Sequence, residues 1–268
     1  GIATGTDIGQ LFIAGIVPGI LAILLYLAAI WIIARIDPAS APAAPRVGWA
    51  ERLSYFRTVG PILLLFVLII GGLYMGAFTP TEAGGMGAAG ALIFAIWRRS
   101  LSLPVFVEAL LETVTTTAAL FLVLIGALVF SNFVNLIGLP QAMSDLIMSM
   151  GLSPWMVILL IFAIYLVLGM FMESLSMILL TIPIFFPIVT GMGFDPIWFG
   201  IFAVMVTELS LVTPPVGLNL FVIRSVIGNV SIGAIYRGIL PFIAADIVRI
   251  LIIILFPALV LFLPMTAR

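Results

Sequence analysis

The sequence contains no cysteine and no histidine, and only 8% of its 268 residues are charged. Without cysteine there is no disulfide and no thiolate chemistry; without histidine there is no imidazole base and no supply of the commonest zinc ligand. A formal charge of −1 offers no basic field to a nucleic acid. No charged segment precedes a short apolar run and a cleavage site, so no signal peptide is visible. Against these gaps stand 64% hydrophobic residues and a mean hydropathy of +1.41. A soluble domain is about half apolar and about a quarter charged. The apolar runs are continuous and lack the alternation of barrel strands. The fold class that follows is an all-α polytopic membrane protein, embedded in a lipid bilayer.

Residues 11–33 are apolar and long enough to span, with a kink expected at Pro18 and Gly19. Asp37 to Arg46 reads as a Pro/Ala linker, followed by a short interfacial helix at 49–57. Arg35, Arg46, Arg52 and Arg57 fall in this connector, which the positive-inside bias places in the cytoplasm. Residues 59–77 span outward. The turn FTPTEAGG carries a helix-capping signal at Thr79 or Thr81, and the Gly/Ala-rich stretch 85–97 is expected to pack closely on another helix. Residues 105–114, with Glu108 and Glu112 four apart, predict an interfacial amphipathic piece, and 116–137 a span. A second amphipathic piece covers 141–150, and 239–263 forms the last span. Asp246 and Arg249 there are an i,i+3 pair able to neutralise itself. This divides the chain into a span and connector (1–58), scaffold helices (59–104), an arm helix and span (105–153), a transport unit (154–228) and a closing span (229–268).

The transport unit is where polarity enters apolar sequence. Residues 154–189 would reach about 54 Å as one straight helix, against an apolar core of about 30 Å. Glu173, Ser174, Ser176 and Thr181 sit inside it, so two half-spanning helices meeting at 173–176 are expected, as a re-entrant hairpin. Residues 198–227 are interrupted at Thr213-Pro214-Pro215-Val216-Gly217. Two prolines remove two backbone donors and leave carbonyls without helical partners. Those carbonyls and the Thr213 hydroxyl suit a hard cation such as Na⁺. An ordinary kink re-satisfied by neighbours is the plainer alternative, and the pairing of two interrupted segments favours the site. Glu173 caps the second half-helix or meets substrate; both remain open. Ser174 and Ser176 are expected to cap the same half-helix with their hydroxyls and leave its amides for an anion. Asn219 plays the matching part after the second break. The substrate-site candidates are Glu173, Ser174, Ser176, Pro215, Gly217 and Asn219. Glu208 is not assigned as a ligand, and Arg249 is assigned to its structural pair.

IGQLFIAGIVP at 8–18 is echoed by IGAIYRGILP at 232–241, each leading into a span of opposite direction. That is the pattern of an inverted repeat, with chance similarity in so apolar and Gly-rich a chain as the alternative. The second copy follows a hairpin and a broken helix, and the equivalent pair for the first is expected before Gly1, so the N-terminal repeat is largely absent here.

The succession FTPTEA, GMFMESLSMILLTIPIFFPI, TPPVGLNLF and RGILPF, opening on TGTDIGQLFIAGIVPG, resembles the large membrane subunit of tripartite ATP-independent periplasmic (TRAP) transporters, in its C-terminal portion. The resemblance covers the whole chain. It implies an elevator-type fold of the ion-transporter superfamily and a secondary carrier driven by Na⁺, with no other cofactor. The substrate, an organic acid anion such as a C4-dicarboxylate or sialic acid, would arrive on a periplasmic binding protein, and a small membrane subunit would brace the scaffold in a bacterial inner membrane. The resemblance places a sodium site at Gly169, Ser210, Thr213 and Val216, largely through backbone oxygens. Alternatives are an ion channel, although no repeated filter loop is present, and a sodium-coupled divalent-anion carrier needing no binding protein. An enzyme is disfavoured, since no base and nucleophile are paired.

Overall fold

The computed structural model describes residues 1–38, 48–228 and 230–266; the linker with Arg46 and the side chain of Arg57 lie outside the described residues. Among the described residues the chain is wholly helical: α1 (Ile8–Ala14), α2 (Ile16–Ile36), α3 (Trp49–Tyr74), α4 (Pro80–Trp97), α5 (Leu103–Leu136), α6 (Leu139–Ser149), α7 (Pro154–Gly169), α8 (Ser174–Gly191), α9 (Pro196–Val212), α10 (Leu218–Ile227), α11 (Ile232–Leu255) and α12 (Ala258–Thr266). Four stretches, 8–36, α5, α8 and α11, are long and apolar enough to cross a membrane. This is a multi-pass membrane protein.

Helix starts follow the local code closely. Pro80, Pro104, Pro140, Pro154 and Pro196 each lie in a first turn, where the missing N–H has no helical partner to lose. Thr79 caps α4 in a full capping box: its hydroxyl accepts from Glu82 N at 3.3 Å, and Glu82 Oε2 accepts from Thr79 N at 2.9 Å. Asp195 caps α9 by accepting from Ile197 N and Trp198 N at 2.8 and 3.2 Å. The Gly/Ala-rich α4 packs on α3 as expected: a Cβ on Gly90 would overlap the Leu65 side chain.

Several helices are longer, or broken elsewhere, than expected. The first span begins at Ile8 and is irregular at Gly15, upstream of the expected Pro18 kink, because proline's ring crowds the carbonyl four residues earlier, that of Ala14. The expected interfacial helix at 49–57 and the span after it are one helix, α3, which runs through Pro61. Residues 105–114 and 116–137 are likewise one helix, α5. The hydroxyls of Thr113 and Thr115 donate back to Ala109 O and Leu111 O at 2.7 and 2.8 Å, so this polar stretch needs no break. The closing span is split at Pro257, between α11 and α12.

The core is built around α9. Ten residues of this 17-residue helix are buried, from Trp198 to Ser210, the pattern of a helix covered on most sides. It packs against α7, α8, α11 and the N-terminal α1. A row of rings, Phe194, Trp198 and Phe202, stacks along it with centroids 5.1 and 5.5 Å apart. The Trp198 Nε1–H donates to Ile253 O of α11 at 3.2 Å. The α3–α4 pair reaches the rest chiefly through α1, whereas α2 packs along α11 and α11 on α9. The first span, through α1, and the closing span, through α11 and α12, thus pack directly on α9. Arg35, Arg52 and Arg98 lie over Trp31, Trp49 and Phe94 at 4.9, 5.1 and 5.2 Å, each near a helix end.

Candidate functional site

The first interruption separates α7 from α8 at residues 170–173, and the two helices fold back on one another. The hydroxyls of Tyr165 and Thr181, both buried, are hydrogen-bonded at 2.7 Å across the hairpin. At the tip, Glu173 is the N-cap of α8. One carboxylate oxygen accepts from Leu175 N at 3.0 Å and the other from Ser176 N at 3.1 Å. The Ser174 hydroxyl donates to the same carboxylate at 2.8 Å, and that of Ser176 at 3.4 Å. The serine hydroxyls thus do not cap the helix, contrary to expectation. A carboxylate satisfies two amides at once and sits well at the positive helix end, so the seat expected for an incoming anion is filled by Glu173 itself.

The second interruption falls at residues 213–217, as the Pro-Pro pair requires. Thr213 leaves the helix in an extended conformation (φ −82°, ψ 129°), and Gly217 adopts the left-handed region at φ 58°. A side chain there would be strained and would crowd Thr213 O and Leu220. The Thr213 hydroxyl donates to Leu209 O at 2.7 Å, keeping its lone pairs open. The Tyr236 hydroxyl, from α11, donates to the carbonyls of Pro215 and Val216. Tyr236 is a member of the site that the sequence did not single out.

The two breaks meet. Gly169, the last residue of α7, is buried against α9 so closely that a Cβ on it would overlap both Oγ and Cβ of Ser210. Ser210 is wholly buried and donates to Thr207 O at 2.5 Å. Gly169 and Ser210 are thus adjacent, with Thr213 and Val216 following on the same broken segment.

Beside this junction lies a cavity of about 470 Å³ whose walls include Ser174, Thr207, Glu208, Asn219, Asp246, Arg249 and Tyr26. Ser174 and Asn219, two of the expected substrate contacts, face it from opposite breaks. Ser176 does not; it borders a separate apolar cavity between α8 and Phe130 of α5. Pro215 and Gly217 line neither.

The family model described as "Tripartite ATP-independent periplasmic transporter, DctM component" matches residues 1–259. The chain belongs to this family. Among its curated relatives, the C4-dicarboxylate TRAP transporter large permease of Pseudomonas aeruginosa is 41% identical over 263 residues. The sialic acid TRAP transporter large permease of Vibrio cholerae is 33% identical over 265, and the ectoine TRAP transporter large permease of Halomonas elongata 31% over 268. Each match covers 98% of this chain and 61% of the relative. The chain thus spans about three fifths of the length of these relatives. In this DctM-family chain the polar breaks and the polar cavity are contiguous, and the cavity's charged wall comes from α11 as much as from the breaks.

Proposed function

We propose that this chain forms part of the large permease subunit of a sodium-coupled secondary transporter that imports an organic acid anion. The observation that carries the proposal is the junction of the two interrupted helices, Gly169 against Ser210 beside a polar cavity, in an otherwise apolar body. Interrupted helices meeting inside a membrane are what transporters use to hold ions and substrate. The Gly169 carbonyl, the Ser210 and Thr213 hydroxyls and the Val216 carbonyl, which also accepts from Tyr236, would supply an oxygen-only set suited to Na⁺ as transported cargo. Ser174 and Asn219 supply neutral hydrogen-bonding groups to the substrate, while Glu173, Ser176, Pro215 and Gly217 shape the tips and the break. The hairpin and broken helix move together against a fixed part of the protein, in an elevator mode.

The family supplies the remaining components of the proposal: a small membrane subunit, a periplasmic substrate-binding protein, and a bacterial inner membrane. The relatives' names make a C4-dicarboxylate or sialic acid the first cargoes to test. The experiment is uptake of radiolabelled succinate or N-acetylneuraminate into proteoliposomes holding the full-length protein, its small subunit and a binding protein. Uptake should require both an inward Na⁺ gradient and the binding protein. Uptake without the binding protein would assign the chain to the self-sufficient divalent-anion carriers. Currents without either would assign it to channels.

A further inference from the structure

The charged wall of the cavity is more than a self-neutralised pair. Asp246 and Arg249, one turn apart on α11, are 5% and 7% exposed. Asp246 Oδ2 accepts from the Tyr26 hydroxyl at 2.5 Å; Oδ1 lies 2.8 Å from Arg249 Nη2 as an ion pair and has no hydrogen-bond donor of its own among the described residues. Arg249 is left with donors to spare. A guanidinium presents five N–H groups in a planar fork, and Nε of Arg249 has no acceptor among the described residues. A buried donor left unpaired is costly, and here the side chain lines a cavity large enough for a small organic acid. Tyr26 holds Asp246, Asp246 lies against one side of the fork, and the Arg249 side chain as a whole lines the cavity.

We infer that Arg249 is a direct ligand for a carboxylate group of the cargo, held in place by the Tyr26–Asp246 hydrogen bond. This rests on the transport proposal and assigns its substrate contact to α11 rather than to the α8 amides, which Glu173 already occupies. The remaining carboxylate on these walls is Glu208 of α9. The formal charges of Glu208, Asp246 and Arg249 on these walls sum to −1. Tyr26 and Asp246 are positioning residues, and the neutral contacts at Ser174 and Asn219 complete the far walls.

The test is equilibrium binding of radiolabelled succinate and N-acetylneuraminate to the full-length protein with its small subunit, in saturating Na⁺, with thermal unfolding measured on the same samples. Two variants decide it. Asp246→Asn/Arg249→Gln removes both charges, which spares the fold an unpaired buried ion. It should unfold near the wild-type temperature yet bind the acid about 10- to 100-fold more weakly, as expected when charge-assisted hydrogen bonds to a ligand are lost. Arg249→Lys keeps the charge and the pairing with Asp246 but loses the fork, and should weaken binding about tenfold. It decides the matter alone if the double variant fails to fold. Wild-type affinity in either folded variant overturns the assignment and leaves the pair structural. If the wild-type protein binds neither acid, the transport proposal has failed first, and with it the inference.

Discussion

Replacing Gly169 with alanine tests the junction on which the site depends. The added Cβ overlaps both the Oγ and the Cβ of Ser210. A clash with Oγ alone would be relieved by rotating the serine, at the loss of its 2.5 Å bond to Thr207 O, about 0.5–1.5 kcal/mol. A clash with Cβ cannot be relieved that way, because that atom is fixed to the α9 backbone; α7 or α9 must move. Overpacking of this kind costs about 1–3 kcal/mol. Alanine's better helix propensity returns at most about 1 kcal/mol, and less here, at the final residue of α7. The net destabilisation is about 1–2 kcal/mol. If the displacement is taken up at the end of α7, where two of the proposed sodium ligands, Gly169 and Ser210, meet, the Na⁺ concentration for half-maximal uptake rises about 5- to 30-fold. The assay is thermal unfolding of the full-length complex together with a Na⁺ titration of proteoliposome uptake. Ser210→Gly removes both clashing atoms. The double variant Gly169→Ala/Ser210→Gly should therefore be more stable, by about 1 kcal/mol or more, than the sum of the single changes predicts. Additive effects, or a Gly169→Ala protein indistinguishable from wild type, would refute the close approach and the site built on it.

Two further changes separate the break from the helix ends. Tyr236→Phe keeps the ring but removes the hydroxyl that donates to Pro215 O, so the broken segment should loosen by about 0.5–1.5 kcal/mol; Na⁺ titration should show a several-fold change in affinity with expression unchanged. Thr79→Ala removes the α4 capping box and should cost about 0.5–2 kcal/mol of stability, while uptake per folded molecule stays at the wild-type level.

The two interruptions were legible because their cause is local. A Pro-Pro pair removes backbone donors wherever it lies, and Glu173 inside an apolar run must find partners within a turn or two. Capping at Thr79 was legible for the same reason. Helix continuity was not. Residues 105–114 look interfacial by charge, yet nothing in them stops a helix, and Thr113 and Thr115 satisfy themselves. The fate of the two serines was open to geometry: at about 100° per residue, Ser174 and Ser176 stand on nearly opposite faces, so one cavity cannot take both.

What the sequence alone determined about this protein is its membrane class, its family, the two polar interruptions of the 154–228 stretch and the capping signal at Thr79. These depend on composition and on neighbours a few residues away. Only the tertiary structure decided which polar groups share a cavity. Tyr26 meets Asp246 across 220 residues and Tyr236 meets Pro215 across 21. Such meetings depend on how each helix is rotated and how near its neighbour packs, and Gly169 against Ser210 sets that distance for α7 and α9. The hairpin and broken helix could be read as a site from their own residues; the arginine on its far wall required the packing of α11.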